Sequence, residues 1–260
     1  MTQEMSSLSE MKDFVTSLAR GLTVIQAFDK DHCKLTLTDV AKRTELNRAT
    51  ARRFLFTLNA LGYVESDGKL FWLSPKILEL GYAYLASQPI VEKVQPFIER
   101  VSSETGESCS VSVLDGNDVV YIARYLTQHI MSVTLNVGTR LPAFVTSMGR
   151  ILLAHRTDEE VAEILANSQL KKFTEHTLVD RDLIKEKVAI ARDQGYAVVN
   201  QELEFGLRSI AVPIFNKRGI CVASINVGTQ AARIDEDELI ARILPSLQRA
   251  ANDIKEVLPV

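Results

Sequence analysis

Apolar positions recur every three to four residues over 14–28, where Val15, Leu18, Leu22, Ile25 and Phe28 fall on one stripe and predict a first helix that supports residues 35–73. The segment from Leu37 to Leu46 suits a short helix and a tight turn broken at Thr44-Glu45-Leu46. Asn47 then stands where a side-chain oxygen can accept from an unpaired backbone N–H at the start of a second helix. In that helix Ala51, Phe54, Leu58 and Leu61 form the apolar face. Ala49, Arg52 and Arg53 lie opposite, flanked by Arg48 and Thr50, and no acid interrupts the three arginines. Gly62 closes it, and two apolar runs (Tyr63-Val64, and Leu70 to Leu73) flank Ser66-Asp67-Gly68-Lys69, a hairpin signal. Residues 34–37 suit a minor third strand. Helix, turn, cationic helix and hairpin in that order predict a winged helix-turn-helix, whose second helix fits a DNA major groove. A solvated polar face is the plainer alternative; the agreement of turn, cap, cationic face and hairpin favours DNA.

Ser74-Pro75 opens a nearly all-apolar helix over residues 76–87, read as a subunit contact because one side of a chain cannot bury that much. Gln88-Pro89 marks a boundary, which divides the chain into a winged-helix domain (14–74), a linker helix (75–88) and a larger domain (89–260). The larger domain starts with a helix ending at Gly106. From Ser108 to Leu114 the chain alternates, with Cys109, Val111 and Val113 on one side and three serines on the other, which predicts a strand with one buried face. Asp115 to Asp118 turns the chain into a returning strand, and Met131, Val133 and Leu135 alternate again. Residues 137–142 are expected as a loop, 147–155 as a helix, and Thr157 with Glu160 as a capping box. A helix over 182–194, three strands (196–200, 210–215 and 220–227) and a last helix from Asp235, kinked at Pro245, complete an α+β arrangement on an antiparallel sheet.

Net charge is −3, so nucleic-acid contact must come from a local patch rather than from the whole chain. Three widely spaced cysteines form neither a disulfide framework nor a metal-binding spacing, and no cofactor is expected. The chain shows no membrane-spanning run and no signal pattern at its start, which points to the cytoplasm.

The Thr146-Ser147-Met148-Gly149-Arg150 segment opens a helix, whose free N–H groups and two hydroxyls could seat a carboxylate; Thr146 or Ser147 could equally be only a cap. An enzyme reading finds no HExxH, GxSxG, phosphate loop or CxxC to rest on, so no catalytic residue is assigned. A winged helix used for protein contact is a third option.

Five blocks carry a family resemblance: Ser17 to Ile25, Asn47 to Val64, Gly138-Thr139-Arg140-Leu141-Pro142, Thr146 to Arg150, and Gly206-Leu207-Arg208-Ser209-Ile210-Ala211. In this order they resemble the IclR family of bacterial transcription regulators, and most of all the branch that includes the protocatechuate and 4-hydroxybenzoate pathway regulators. That resemblance implies a DNA-binding winged helix, a dimerising linker helix and a GAF-like effector domain sensing a small, aromatic carboxylic acid. On that winged helix Arg48, Arg52 and Arg53 are expected to approach DNA, Asn47 and Thr50 to position the helix, and Lys69 on the wing to meet phosphate. The resemblance also implies an effector pocket from Ser147, Met148, Ser209, Ile225, Asn226 and Val227, to which the reading of the residues adds Arg124, Met131 and Thr146. Compared with glyoxylate-pathway members, Ile225, Val227 and Val199 imply a more apolar pocket, suited to a flat ligand. Arg124, Arg140 and Arg208 are candidate carboxylate partners, with a structural role favoured for the last two. The partners expected are double-stranded operator DNA with two-fold symmetry, the effector, and a second copy of the chain; a tetramer is left open.

Overall fold

The computed structural model describes residues 12–127 and 135–259. The chain divides into two compact units, residues 1–83 and 84–260.

The first unit holds α1 (Thr16–Gln26), β1 (Leu35–Thr36), α2 (Leu37–Arg43), α3 (Arg48–Ala60), β2 (Val64–Ser66) and β3 (Leu70–Leu73). Thr36 and Asp39 exchange side-chain and backbone hydrogen bonds in a capping box that starts α2. Glu45, with φ 54°, makes the turn. Asn47 starts α3, its Oδ1 accepting from the Thr50 N–H at 2.8 Å. The buried side of α3 is Ala51, Leu55 and Leu58. Leu61, expected on that side, is exposed because the helix ends at Ala60 and Leu61 is its C-cap. Gly68, at φ 93°, lets the β2–β3 hairpin turn, and β1 pairs with β3 as the third strand. Val24 and Ala27 of the first helical segment join Val40, Leu55, Val64 and Phe71 in the core. Of the predicted stripe, Ile25 and Phe28 pack against this core, while Val15, Leu18 and Leu22 are exposed.

A helical turn at Pro75–Ile77 leads into α4 (Leu78–Ser87), none of whose residues is buried. Leu78 and Tyr82 are 71% and 70% exposed.

The second unit is built on six antiparallel strands in the order β6-β5-β4-β9-β8-β7. These are β4 (Ser108–Asp115), β5 (Asp118–Tyr125), β6 (Arg140–Pro142), β7 (Ala197–Asn200), β8 (Leu207–Phe215) and β9 (Cys221–Gln230). One face packs on α5 (Pro89–Thr105) and the last helix, α9 (Leu244–Val257), through Val94, Ile98, Val111, Ile225, Val227, Leu247 and Ile254. The other face packs on α6 (Ser147–Ala154) and α8 (Arg181–Gln194), with α7 (Asp158–Asn167) joining the same core through Val161 and Leu165. Thr157 and Glu160 form the expected capping box before α7.

Three expectations change here. β4 is buried on both faces, because Ser108, Ser110 and Ser112 lie inside the unit rather than toward solvent. Within the expected loop, Arg140–Pro142 pairs with β5 as an edge strand. Pro245 causes no mid-helix kink: it sits in the first turn of α9, after a π-helical turn at Leu239–Ile243 that absorbs the register change.

Candidate nucleic-acid interface and ligand cavity

In the first unit, α3 and the wing tip close on a groove lined by Arg48, Arg52, Phe56, Asn59 and Lys69, with Thr36 and Thr38 from the start of α2. Arg48, Arg52 and Arg53 are exposed, and among the described residues none of them, nor Lys69, has an ion-pair partner. Arg52 lies over the Phe56 ring at 5.0 Å, a cation–π contact. Arg53 is exposed but does not line the groove. Asn47 and Thr50 are joined through the cap, so their geometry sets where the helix begins. Phe56, Asn59, Thr36 and Thr38 escaped the sequence reading, because an exposed phenylalanine and two threonines carry no charge signal.

In the second unit, a cavity of about 40 Å³ lies between the sheet and the start of α6. Its wall from the chain before and into α6 is Val145, Thr146 and Ser147; from the sheet come Ser108, Ser110, Tyr121, Arg124, Val199, Leu207, Ser209, Asn226 and Gly228. Leu203, between β7 and β8, and Leu135 complete it. Thr146 Oγ1 accepts from the Gly149 N–H at 3.0 Å and so caps α6, while Ser147 Oγ donates to Ser209 Oγ at 2.9 Å across the cavity wall. Gly149 is required by contact: a Cβ there would stand 2.0 Å from the Ala143 carbonyl oxygen. The next residue, Arg150, is buried and donates to Glu202 Oε2 at 2.7 Å and to the Phe144 carbonyl at 3.3 Å. Glu202 Oε2 also accepts from the Leu178 N–H at 3.2 Å. This pair ties the α6 wall to the segment bearing Leu203.

Electrostatically the cavity is dominated by Arg124. Its Nε and Nη1 are buried and, among the described residues, have no hydrogen-bond partner, and burial lowers its pKa from the ordinary arginine value. Burial also pushes the Tyr121 phenol up to about 12, so it stays a neutral hydroxyl. Asn226 Oδ1 is likewise buried and unpartnered.

Of the residues proposed for this site, Arg124, Thr146, Ser147, Ser209 and Asn226 line the cavity. Met148 does not: it is fully buried in the core around α6. Ile225 and Val227 pack in the opposite core against α5 and α9, because alternate residues of a strand face opposite sides and Asn226 takes the cavity side. Those two residues therefore do not make the pocket apolar; of the three expected apolar departures only Val199 lines it. Met131 lies outside the described residues. Arg140 is held by Asp115 at 2.5 Å and Asp118 at 3.1 Å, and Arg208 by Asn200 and the Ala231 and Ile234 carbonyls, so both tie segments together. Ser108 and Ser110 were missed because alternating serines read as a wet face.

Thiol chemistry finds no footing in the second unit. Cys109 and Cys221 are buried, and burial raises both thiols, Cys221 to about 11, which suppresses the reactive thiolate. Among the described residues there is no metal-binding cluster and no helix long and apolar enough to cross a membrane.

The chain matches the IclR helix-turn-helix domain over residues 17–68 and the C-terminal domain of bacterial IclR transcriptional regulators over residues 82–256. It is 47% identical over 243 residues to the Pca regulon regulatory protein of Pseudomonas putida, covering 93% of this chain and 84% of that one. A crystal structure of a regulator from Rhodococcus sp. RHA1 is 48% identical, with a TM-score of 0.83 over 94% of this chain and 98% of that one. An IclR homologue from Microbacterium hydrocarbonoxydans, solved in complex with 4-hydroxybenzoate, is 26% identical, with a TM-score of 0.79 over 92% of this chain and 98% of that one. Winged helix, six-stranded domain and both family matches lead to one conclusion: the chain belongs to the IclR family of bacterial transcription regulators and is a DNA-binding regulator, not an enzyme.

Proposed function

We propose that this regulator works in the cytoplasm as a homodimer on a two-fold related operator, and that a small aromatic carboxylic acid bound in the second unit alters its hold on DNA. Arg124 carries the ligand half of this reading: a guanidinium with two unpartnered buried nitrogens in a cavity is a seat for a carboxylate. The ring class is supported by the 4-hydroxybenzoate complex of the Microbacterium homologue and by the Tyr121, Val145, Leu203 and Leu207 walls. For DNA, Arg48, Arg52 and Arg53 approach the major groove and Lys69 meets phosphate. The exposed apolar side chains of α4 supply the subunit contact. The effector acts only through a difference in its affinity for two arrangements of the protein, transmitted along α4.

The test is a gel-shift titration of the full chain on its own promoter fragment, with and without a panel of aromatic and open-chain carboxylic acids. Salt-dependent binding that an aromatic acid changes, and that Arg52→Ala weakens by about 1–3 kcal/mol, is expected. No shift at low ionic strength, or a response confined to open-chain acids, would refute the DNA or the ring half respectively.

A further inference from the structure

The strand register sets the polar residues of the cavity floor in order. Ser110 on β4 stands opposite Arg124 on β5 and opposite Asn226 on β9. The three form one row across neighbouring strands, and all three line the cavity. With strands about 4.8 Å apart, the backbone positions of Arg124 and Asn226 are separated by roughly 10 Å. Both ends of the row carry buried atoms without partners among the described residues: Nε and Nη1 of Arg124, and Oδ1 of Asn226, a residue only 9% exposed. Native proteins leave few such groups, and each calls for an explanation. The two ends ask for opposite things. A guanidinium only donates, so it seeks an anion; an amide oxygen only accepts, so it seeks a donor.

We propose that Asn226 is a specificity-determining residue, accepting a hydrogen bond from a hydroxyl on the effector ring at the end remote from the carboxylate that Arg124 holds. This rests on the reading that an aromatic acid occupies the cavity, and adds what the ring must carry. A hydroxyl opposite the carboxyl places its proton two strands from the cation, with the long Arg124 side chain making up the difference in span. Benzoate leaves Oδ1 unpaired, and 4-methoxybenzoate sets one acceptor against another. A site built around a hydroxyl discriminates against analogues that lack one, because the buried partner then goes unsatisfied.

Calorimetric titration of the full chain with 4-hydroxybenzoate, benzoate and 4-methoxybenzoate tests this. Wild type should bind the hydroxy acid at least ~10-fold more tightly than either analogue. In Asn226→Ala the ratio between hydroxy acid and benzoate should fall to within about twofold; Asn226→Leu, close in size, serves should the alanine variant not fold. If all three acids bind wild type alike, if 4-methoxybenzoate binds best, or if the preference survives both substitutions, the assignment of Asn226 is overturned while the aromatic reading stands. If no benzoate binds at all, both are overturned.

Discussion

Gly149 fills a position that admits no other residue. A methyl group there would overlap the Ala143 carbonyl at 2.0 Å, and that carbonyl is backbone, which cannot swing aside as a side chain would. Gly149→Ala should therefore cost about 3 kcal/mol or more of stability, read from the urea midpoint of unfolding. A loss within about 0.5 kcal/mol would show that the segment before α6 yields easily. Beside it, Arg150→Met strands the Glu202 carboxylate in a buried site and should cost about 3–5 kcal/mol. The double variant Arg150→Met/Glu202→Leu should recover most of that in thermal melts, short of the bond Glu202 accepts from Leu178. If the double variant melts no higher than the single, the buried pair is not what the single lost. The Thr146-to-Arg150 motif was visible in the sequence, but neither reason for it was, since one partner is Ala143 backbone and the other lies 52 residues along the chain. The same limit explains the misplaced pocket residues. A strand cannot turn three consecutive residues to one cavity, so Asn226 and its two neighbours had to divide between faces.

Elements with a local cause were read well. The α3 cap, the wing and the Thr157–Glu160 box each depend on residues three or four apart. The wing is held by Asp67, whose carboxylate accepts from the Leu70 N–H at 2.7 Å and the Lys69 N–H at 2.9 Å. Those amides, Leu70's first, draw the Asp67 carboxyl below its usual value. A lowered folded-state pKa means the contribution is fully present above the pH where free aspartate ionises and is lost as pH falls through the lowered value. The Lys69 and Leu70 amide resonances should accordingly move together below about pH 4, and should not do so in Asp67→Ala. A midpoint at or above that of free aspartate would contradict the bonded wing. Elements with a distant cause were read poorly. Ser108 and Ser110 of β4 face a cavity whose other walls come from residues 145–147 and 199–209, and period-two alternation cannot distinguish a wet face from a ligand-lined one. Likewise β6 exists only because β5 offers it an edge.

For the molecule as a whole, a net charge of −3 coexists with an uncompensated cationic groove in the first unit, so attraction to DNA is local. The sequence put a boundary at Gln88-Pro89, whereas the compact units part after residue 83, within α4; which end of the α1 stripe meets the core was not legible, because an apolar stripe does not say how much of it one core covers. Val15 at the start of α1, Leu18 and Leu22 on it, and Leu78 and Tyr82 on α4 are exposed. Heat resistance should then have no fixed value for this protein. Diluting the sample a hundredfold should bring unfolding to a lower temperature, as mass action pulls paired copies apart before they melt, whereas a transition indifferent to dilution would mean that these side chains are wet in the working state.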